Sequence, residues 1–351
     1  MNTHIGRALS LLAVLAAALP AQKPDKERER EIERRAERLA KTIEKTVEAS
    51  VEGAMRTVES ALAGLDYHYG QGYDSRQSTP SRIDTTFAFA RDGVLDLTTY
   101  GGDIVVTGWN RPEARVRGVT ERGSRWRFTP TRMTIEAQGY RGRSGDSQYE
   151  ITVPEGVRVI LRSMNGSLAV RGVKGEVDLH TNNGDIEVTD AADRIEMVTL
   201  SGDVTGLRLR GEVDATSLNG TVSLTDVQGR AVHAESTSGS LELTNVVSRD
   251  IDVSTVSGEV DFVGPLDPQG QYSFTSHSGS VTLTIPATTS ARFSIETFNG
   301  EVDSDFPFTL QPNRERRNGQ RLDFTVGAGE ARVTAESFSG GIVIRRAAAR
   351  R

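Results

Sequence analysis

The sequence predicts an all-β protein, a parallel β-solenoid of about ten coils preceded by one long amphipathic α-helix. The first observation is a repeat with a period of 18 to 21 residues, each copy marked by a glycine. One further copy follows at a larger distance. The second is that Ser or Thr stands three positions before each glycine, and Asn or Ser one position before it. The third is that apolar and polar residues alternate on both sides of the glycine, as in strands with one buried face. The glycines are Gly166, Gly184, Gly202, Gly220, Gly239, Gly258, Gly279, Gly300 and Gly340.

The composition agrees with a thin, turn-rich structure and excludes several functions. Only 36% of the 351 residues are hydrophobic, and 35 are glycine. The formal net charge of -6 argues against nucleic acid as a partner. The chain has no cysteine, so disulfides, thiol catalysis, zinc-thiolate sites and a lipid-modified cysteine are excluded.

Residues 1–21 are typical of a secretory signal peptide. Arg7 supplies a short positive region, and residues 9–19 form an apolar stretch too short to span a bilayer. An uncleaved membrane anchor is the alternative. We therefore expect an exported protein, located in the periplasm, at the cell surface or in the medium.

Residues 22–63 are predicted to form a charged amphipathic helix. Apolar residues recur there every three or four positions, from Ile32 to Leu62. This spacing does not favour a long left-handed coiled coil. The helix either packs on its own chain or mediates oligomerisation or envelope contact through residues 23–63. Residues 64–82, rich in Gly, Tyr, Ser and Gln, are predicted to be a linker.

The solenoid is predicted to occupy residues 83–346, followed by a basic tail at 347–351. Its first copy of the repeat centres on Gly102, and residues 111–150 then interrupt the repeat with short alternating strands. Each later coil contributes two strands. The Ser or Thr before the glycine falls in phase with the buried face, so we expect an inward column of hydroxyls that bond to one another and to the turn backbone. Between Thr297 and Ser337 one coil is predicted to be enlarged, with residues 305–320 forming a protruding loop.

The chain resembles a bacterial family through three features. They are the predicted signal peptide, the Ile-x-Val-Pro-x-Gly segment at residues 151–156, and the coils with the pattern Ser/Thr-x-Asn/Ser-Gly-x-apolar-x-apolar. This is the putative-adhesin family, an extracytoplasmic domain of unknown function related to head-GIN adhesin-like domains. The resemblance covers residues 90–346 and implies an extracytoplasmic β-helix, which we expect to be right-handed. It brings no catalytic residues.

Two groups of outward residues are the candidates for binding. In the second strand, Asp178, Glu196 and Asp214 are predicted to form a like-charge column on three consecutive coils, beside a column of alternating sign formed by Glu176, Arg194 and Glu212. In the first strand, Asp185, Glu187 and Asp203 are predicted to form a similar acidic patch. Such groups suit a calcium ion or, alternatively, a solvated acidic face. We predict no cofactor and no metal site.

Catalytic residues are not predicted. A β-helix lyase needs carboxylates, a metal and a nearby cation. Arg171, Arg208, Arg230 and Arg249 are expected mostly at turns, away from the acidic columns. The histidines, His180, His233 and His277, are expected at the surface in different columns, which does not favour a metal cluster.

A mostly apolar column is predicted at the outside of the corner, directly after the Ser or Thr. An exposed apolar ridge usually marks a contact surface, either for another part of this chain or for a partner. The column consists of Tyr100, Met164, Asn182, Leu200, Leu218, Thr237, Val256, His277, Phe298 and Phe338.

The sequence thus predicts a non-catalytic, adhesin-like protein that presents a rigid surface to an envelope component, either polysaccharide or protein. A structural or oligomerising envelope scaffold is the first alternative, and a carbohydrate-active enzyme on a β-helix is the second.

Overall fold

The computed structural model describes residues 82–119, 124–136, 148–307 and 320–347. The predicted signal peptide (1–21), helix (22–63) and linker (64–82, apart from Arg82) lie outside these residues and stay predictions, as do residues 308–319 of the predicted loop. The described residues belong to one compact unit, Lys41–Arg351, and all their regular elements are β-strands. Among the described residues, no helix has the length and apolar character needed to cross a membrane.

The first seven strands include the first coil and the segment that interrupts the repeat. They are β1 (Arg82–Ala88), β2 (Val94–Gly101), β3 (Asp103–Trp109), β4 (Glu113–Val119), β5 (Arg125–Phe128), β6 (Arg132–Glu136) and β7 (Gln148–Pro154).

The regular coils follow, two strands to a coil. They are β8 (Arg158–Asn165), β9 (Leu168–Arg171), β10 (Val177–Asn183), β11 (Ile186–Thr189), β12 (Ala192–Ser201), β13 (Val204–Leu207), β14 (Arg210–Asn219), β15 (Val222–Thr225), β16 (Gln228–Ser238), β17 (Leu241–Thr244), β18 (Val247–Ser257), β19 (Val260–Val263), β20 (Gln271–Ser278) and β21 (Val281–Ile285).

Five strands complete the described chain. They are β22 (Ala291–Thr297), β23 (Val302–Ser304), β24 (Gln320–Val326), β25 (Ala331–Ser339) and β26 (Ile342–Arg346).

The strands form two sheets of 13 strands each. Sheet A has the order β1-β4-β7-β3-β9-β11-β13-β15-β17-β19-β21-β26-β23, and sheet B has the order β24-β22-β25-β20-β18-β16-β14-β12-β10-β8-β2-β6-β5. Successive coils pair in parallel within each sheet, for example β10 with β12 and β11 with β13. The prediction of an all-β, parallel, solenoid-like fold is therefore confirmed.

The core lies between the inner faces of the two sheets. Phe262 of sheet A packs on Phe274 of sheet B, with ring centroids 5.3 Å apart. A third line of buried residues, not predicted, closes the core where the chain passes from sheet A to sheet B. Each member follows a residue with left-handed backbone, at φ between 54° and 69°. The members are Val173, Ala191, Leu209, Val227 and Val246.

The predicted hydroxyl column is buried, but its bonds differ in part from the prediction. Each hydroxyl from Thr181 onward donates to the carbonyl of the corner glycine of a neighbouring coil, at 2.9 to 3.1 Å; Thr181 bonds to Gly166, for example. A contact between two hydroxyls is seen for Thr99 and Ser163, 3.4 Å apart. The column therefore joins adjacent coils mainly through the turn backbone.

The order of the last coils in the stack is not their order in the chain. Strands β25 and β26 pair on one side with β20 and β21, and on the other with β22 and β23, which precede them in sequence. The hydroxyl of Ser337 accordingly bonds to Gly279, and that of Thr297 to Gly340. The sequence suggested a single enlarged coil between Thr297 and Ser337, and this expectation is wrong.

Antiparallel strands lie at the ends of the stack. Strand β4 runs antiparallel to both β1 and β7, and β5 runs antiparallel to β6. At the other end, β24 runs antiparallel to β22. The strictly parallel solenoid is thus limited to the coils between these strands.

Candidate functional site

A row of polar side chains crosses the outer face of sheet B. Asp178, Glu196 and Asp214 pair in register on β10, β12 and β14, which confirms the predicted column. The row continues through His233 on β16 and Asp252 on β18. Strand alternation turns all five outward, because the residues before and after each of them are buried in the core. We call these five residues the acidic row.

A histidine and an arginine contact the Asp178 end of the acidic row. His180 Nε2 lies 2.6 Å from Asp178 Oδ1, and Arg162 Nη2 lies 3.9 Å from Asp178 Oδ2. Burial alone would raise the pKa of Asp178, but the hydrogen bond with His180 and the nearby arginine charges outweigh it and lower the pKa. Glu196 has a raised pKa, because burial and then the charge of Asp178 disfavour its ionised form.

The other end of the acidic row opens into a groove of about 380 Å³. The groove crosses strands β14, β16, β18, β20 and β25 of sheet B. Its polar lining comprises Glu212, Asp214, His233, Asp250, Asp252, Gln271, Ser273, Arg332 and Thr334. Carboxylates outnumber cations in this lining, so the groove is acidic.

His233 lies between carboxylates in this groove. Its Nδ1 is 3.6 Å from Asp252 Oδ2, and its Nε2 is 3.4 Å from Glu235 Oε2. Interaction with Asp252, and then with Glu235, raises the pKa of His233 to about 10, so the imidazole is a cation at neutral pH. The same contact lowers the pKa of Asp252. Burial raises the pKa of Asp214, the next member of the row.

This arrangement can accept hydrogen bonds from a positively charged or hydroxyl-rich ligand. Glu212, Asp214, Asp250 and Asp252 supply acceptor oxygens, whereas His233 already neutralises part of their charge. No group of three or more His, Cys, Asp or Glu side chains in the described residues is arranged to hold a metal ion. The groove therefore has the chemistry of a surface for amines rather than for anions.

The predicted column of alternating sign is present and is extended by one arginine at each end. Arg194 pairs in register with Glu212, yet its guanidinium lies 3.4 Å from Glu196 in the acidic row. Glu176 is paired instead with Arg158 at 3.1 Å, and Glu212 with Arg230 at 3.1 Å. Arg158 and Arg230 stand at the same strand position on the coils next to Glu176 and Glu212, so the column is satisfied largely within itself, as predicted.

The acidic patch predicted on the first strand is used within the chain. Asp185 Oδ1 accepts a hydrogen bond from the backbone N–H of Asp203, and Asp203 Oδ1 accepts one from Thr221. Glu187 pairs with Arg171 at 3.2 Å. These carboxylates therefore connect adjacent coils instead of forming a free patch.

Three of the four highlighted arginines lie in strands and not at turns, and Arg171 is the last residue of β9. Arg230 is in β16 and Arg249 is in β18, whereas Arg208 lies in a turn and forms two hydrogen bonds with Asp190. The expectation that these arginines stay away from the acidic columns is wrong for Arg230, which contacts Glu212.

The histidines differ in environment. His180 and His233 occupy different columns, as predicted. The expectation of surface histidines is wrong for His180, whose side chain is only 12% exposed against Asp178. His277 stacks on Phe338 with ring centroids 5.0 Å apart, and burial lowers its pKa.

The predicted outer apolar column exists and is half-buried along its length. Asn182 Nδ2 lies 2.9 Å from the sulfur of Met164 in the neighbouring coil. Phe338 lies between His277 and Phe298, because the last coils are exchanged in the stack. The column is thus continuous, which the register of the repeat required.

Sequence reasoning missed that His233 and Asp252 extend the acidic row. The signal was present, because each follows the preceding member by the local period of 19 residues. It also missed Glu235, two positions after His233 on the same strand and face. Arg332 could not have been placed, since its strand is inserted out of chain order.

Comparisons with known proteins were consistent with this fold. The family model described as Toastrack DUF4097 matches residues 94–345. No curated protein matches the chain. Similar solved structures include a putative cell adhesion protein from Clostridium sporogenes, at 11% identity over 77% of this chain and 100% of that one, with a TM-score of 0.23.

Two further solved structures are also similar. One is a putative adhesin from Bacteroides fragilis, at 12% identity over 76% of this chain and 99% of that one, with a TM-score of 0.36. The other is a putative lipid binding protein from Parabacteroides distasonis, at 11% identity over 76% of this chain and 98% of that one, with a TM-score of 0.37. At these low TM-scores, the likenesses say nothing about what this chain binds.

Proposed function

The chain belongs to the Toastrack DUF4097 family, and on that premise we propose that it is a non-catalytic, exported, adhesin-like binding protein of the cell envelope. Its ligand is an envelope component that carries amines, on a polysaccharide or a protein. The groove around His233 is the binding site. The single observation that carries the proposal is the acidic row, which continues in strict register into that groove.

Rigidity supports a role in binding. The groove residues lie on long central strands, β14, β16 and β18, which are paired on both sides and rest on a continuous core. Neighbouring side chains of the row are therefore held about 4.8 Å apart by the strand spacing. A surface that is already ordered loses little conformational entropy on binding.

The charge of the groove supports an amine as the group recognised. Hydrogen bonds between carboxylates and ammonium groups are stronger than neutral ones. His233 and Arg332 leave a net negative lining. A general acid and base for hydrolysis would have to be free to exchange protons with a substrate. Here His233 is already engaged by Glu235 and Asp252, which favours binding over catalysis.

Export is part of the proposal through the predicted signal peptide at residues 1–21. The right-handed course of the solenoid and the helix at residues 22–63 are also part of the proposal. Fractionation of cells that produce the full chain, with an antibody to the solenoid, tests export. Retention of the mature protein in the cytoplasm would contradict it.

Binding can be tested with matched oligosaccharides. Chitosan oligomers carry free amines, and chitin oligomers of the same length carry acetylated ones. We expect the protein to bind chitosan oligomers or lysine-rich peptides and not chitin oligomers. Asp214→Asn and Asp252→Asn should each weaken binding about tenfold, the usual cost of losing a charged hydrogen bond.

The matched control is Glu242→Gln, which removes one exposed carboxylate from the outer face of sheet A. It should bind as the unaltered protein does. Equal weakening by Glu242→Gln would assign the effect to net charge and overturn the groove as the site. Turnover of any polysaccharide in a panel would overturn the non-catalytic proposal.

A scaffold is the second candidate, and the half-buried outer apolar column favours it. In that case the predicted helix at 22–63 mediates assembly. Removal of these residues should then convert oligomers to monomers on size-exclusion chromatography. An unchanged molecular size would count against the scaffold.

A further inference from the structure

The end of the stack that carries β5 differs from the coils in both aromatic and charged surface. Trp126 on β5 is 49% exposed, the most exposed large hydrophobic side chain in the described residues. Phe128 stands behind it, edge to face at 5.5 Å, and Phe87 of β1 stacks on Phe128 at 4.9 Å. An aromatic cluster thus reaches from the core to the surface at this end.

Arginines surround this aromatic cluster. Arg125 and Arg127 flank Trp126 along the edge strand β5 from its opposite face; both are exposed, and Arg125 lies opposite Glu136 of β6. On the adjoining end of sheet A, Arg115 and Arg117 share a single carboxylate, that of Asp84, at 3.2 and 3.6 Å. Glu150 of β7 also lies opposite Arg117, so the described residues of this end keep only a small excess of positive charge.

The charge is distributed unevenly between the end and the coils. Among described residues up to Glu136 there are eight Arg and six Asp or Glu side chains. Residues 148–263 contain 19 Asp or Glu and only nine Arg or Lys side chains. The molecule therefore combines a positive, aromatic end with strongly acidic coils.

We propose that this end, through Trp126, Arg125 and Arg127, docks on an anionic lipid surface. Tryptophan is enriched at the boundary between headgroups and hydrocarbon, where its ring is apolar and its N–H reaches water. Arginines near an anionic membrane each contribute attraction to the headgroups. The acidic coils are repelled by the same surface, so the stack stands with this end toward the lipid. This inference is independent of the groove.

The chain supplies its own fluorescent reporter. It has two tryptophans, and the other, Trp109, is half-buried with its Nε1 donating to the carbonyl of Glu113. In the Trp109→Phe variant, Trp126 is the only tryptophan. With vesicles of phosphatidylcholine and phosphatidylglycerol, its emission should shift to the blue, and brominated lipid should quench it. Vesicles of phosphatidylcholine alone should cause neither effect, and high salt should reverse binding.

Variants at the end and in the coils separate the docking surface from general charge. Arg127→Gln should weaken binding to the anionic vesicles about fivefold. Trp126→Ala should abolish cosedimentation of the protein with these vesicles. Arg249→Gln removes an exposed arginine from β18 and should leave binding unchanged. If Trp109→Phe does not fold, the same quenching is measured by comparing the unaltered protein with Trp126→Phe.

Several outcomes would overturn the proposal. They are equal binding to neutral and anionic vesicles, absence of binding to both, and equal weakening by Arg249→Gln and Arg127→Gln. Binding to a soluble anionic polysaccharide without any blue shift of Trp126 would identify a different class of partner and would also reject the lipid surface.

Discussion

At the Gly184 corner, the neighbouring coil approaches closely enough to exclude any side chain. A Cβ at Gly184 would lie 2.2 Å from the carbonyl oxygen of Gly166, and the backbone has φ +154°. The same close approach occurs at Gly258, for which the Cβ would lie 2.0 Å from the oxygen of Gly239. Contact between stacked carbonyls, and not only backbone conformation, therefore requires the glycine that marks the repeat.

We predict that Gly184→Ala destabilises the protein by about 3 kcal/mol, because the methyl group forces adjacent coils apart and breaks the bond from Thr199 to the Gly184 carbonyl. Urea denaturation followed by circular dichroism measures the loss. The control is Gly341→Ala, whose Cβ would meet a single atom, the oxygen of Glu301, at 3.3 Å. Similar losses for both variants would show that the stacked carbonyl is not the cause.

His233 should make stability depend on pH above neutrality. Its pKa in the folded protein, about 10, is above its ordinary value of 6.5. Its stabilising contribution is therefore fully present below about pH 6.5 and is lost as the pH rises toward 10. The side chain is 38% exposed, so we expect solvent screening to limit this contribution to about 1 kcal/mol.

The measurement is the free energy of unfolding between pH 6 and 10.5, in the range set by that pKa. His233→Gln should flatten the decline. His277→Gln should leave the decline above about pH 8 in place, since burial lowers the pKa of His277 and the residue is uncharged there in both the folded and the unfolded state. An unchanged slope in His233→Gln would contradict the assignment.

At the scale of elements, β25 and β26 join two parts of the stack. They lie between β20–β21 on one side and β22–β23 on the other. Without them, β22, β23 and β24 have no parallel partner in the main stack, and a two- or three-strand fragment is rarely stable alone.

A chain that stops after Glu330 should therefore lose order in residues 291–307 and 320–326 while the earlier coils stay folded. Hydrogen exchange with mass spectrometry should show loss of protection in β22 and β24 and retained protection in β14 and β16. A chain that stops after Ala347 is the control and should match the full chain. Retained protection of β22 in the shorter variant would contradict the pairing.

The regular coils could be predicted from sequence because every signal in them is local. The spacing of Ile186 and Val188 gives the strand, the period of 18 gives the register, and the register places Asp178 beside Glu196. The third line of core residues was also readable, since Val227 and Val246 each stand three positions after the last buried residue of the preceding strand.

The exchange of the last coils could not be predicted in the same way. The pattern at Gly300 and Gly340 is the same in both copies and does not say which one pairs with Gly279. Pairing is decided by long-range contacts, such as the stacking of Phe338 on His277. The lining of the groove could not be predicted in full for the same reason, because Arg332 reaches the groove only through that exchange. The ion pairs of Arg194 and Arg230 depend on side-chain rotamers, which a repeat does not encode.

At the scale of the described molecule, ends and coils have separate roles. The coils repeat one backbone conformation and carry acidic side chains on their outer faces, whereas both edge strands of sheet B, β5 and β24, are reversed. A reversed edge strand such as β24 or β5 does not present the edge that a further parallel coil needs. This arrangement opposes end-to-end association of copies, although every coil could in principle accept another.

The position of β25 and β26 also bears on how the protein is made. A ribosome synthesises β22 and β23 before these strands, yet their place in the stack is beyond strands that do not yet exist. The nascent chain can complete coils up to β21 in the order of synthesis, but the coil of β22 and β23 must wait, or must first pair with β20 and β21 and then release them. Final docking of β22, β23 and β24 must therefore follow synthesis of β25 and β26, and a product terminated before these strands keeps an unfilled edge that proteases and chaperones can recognise.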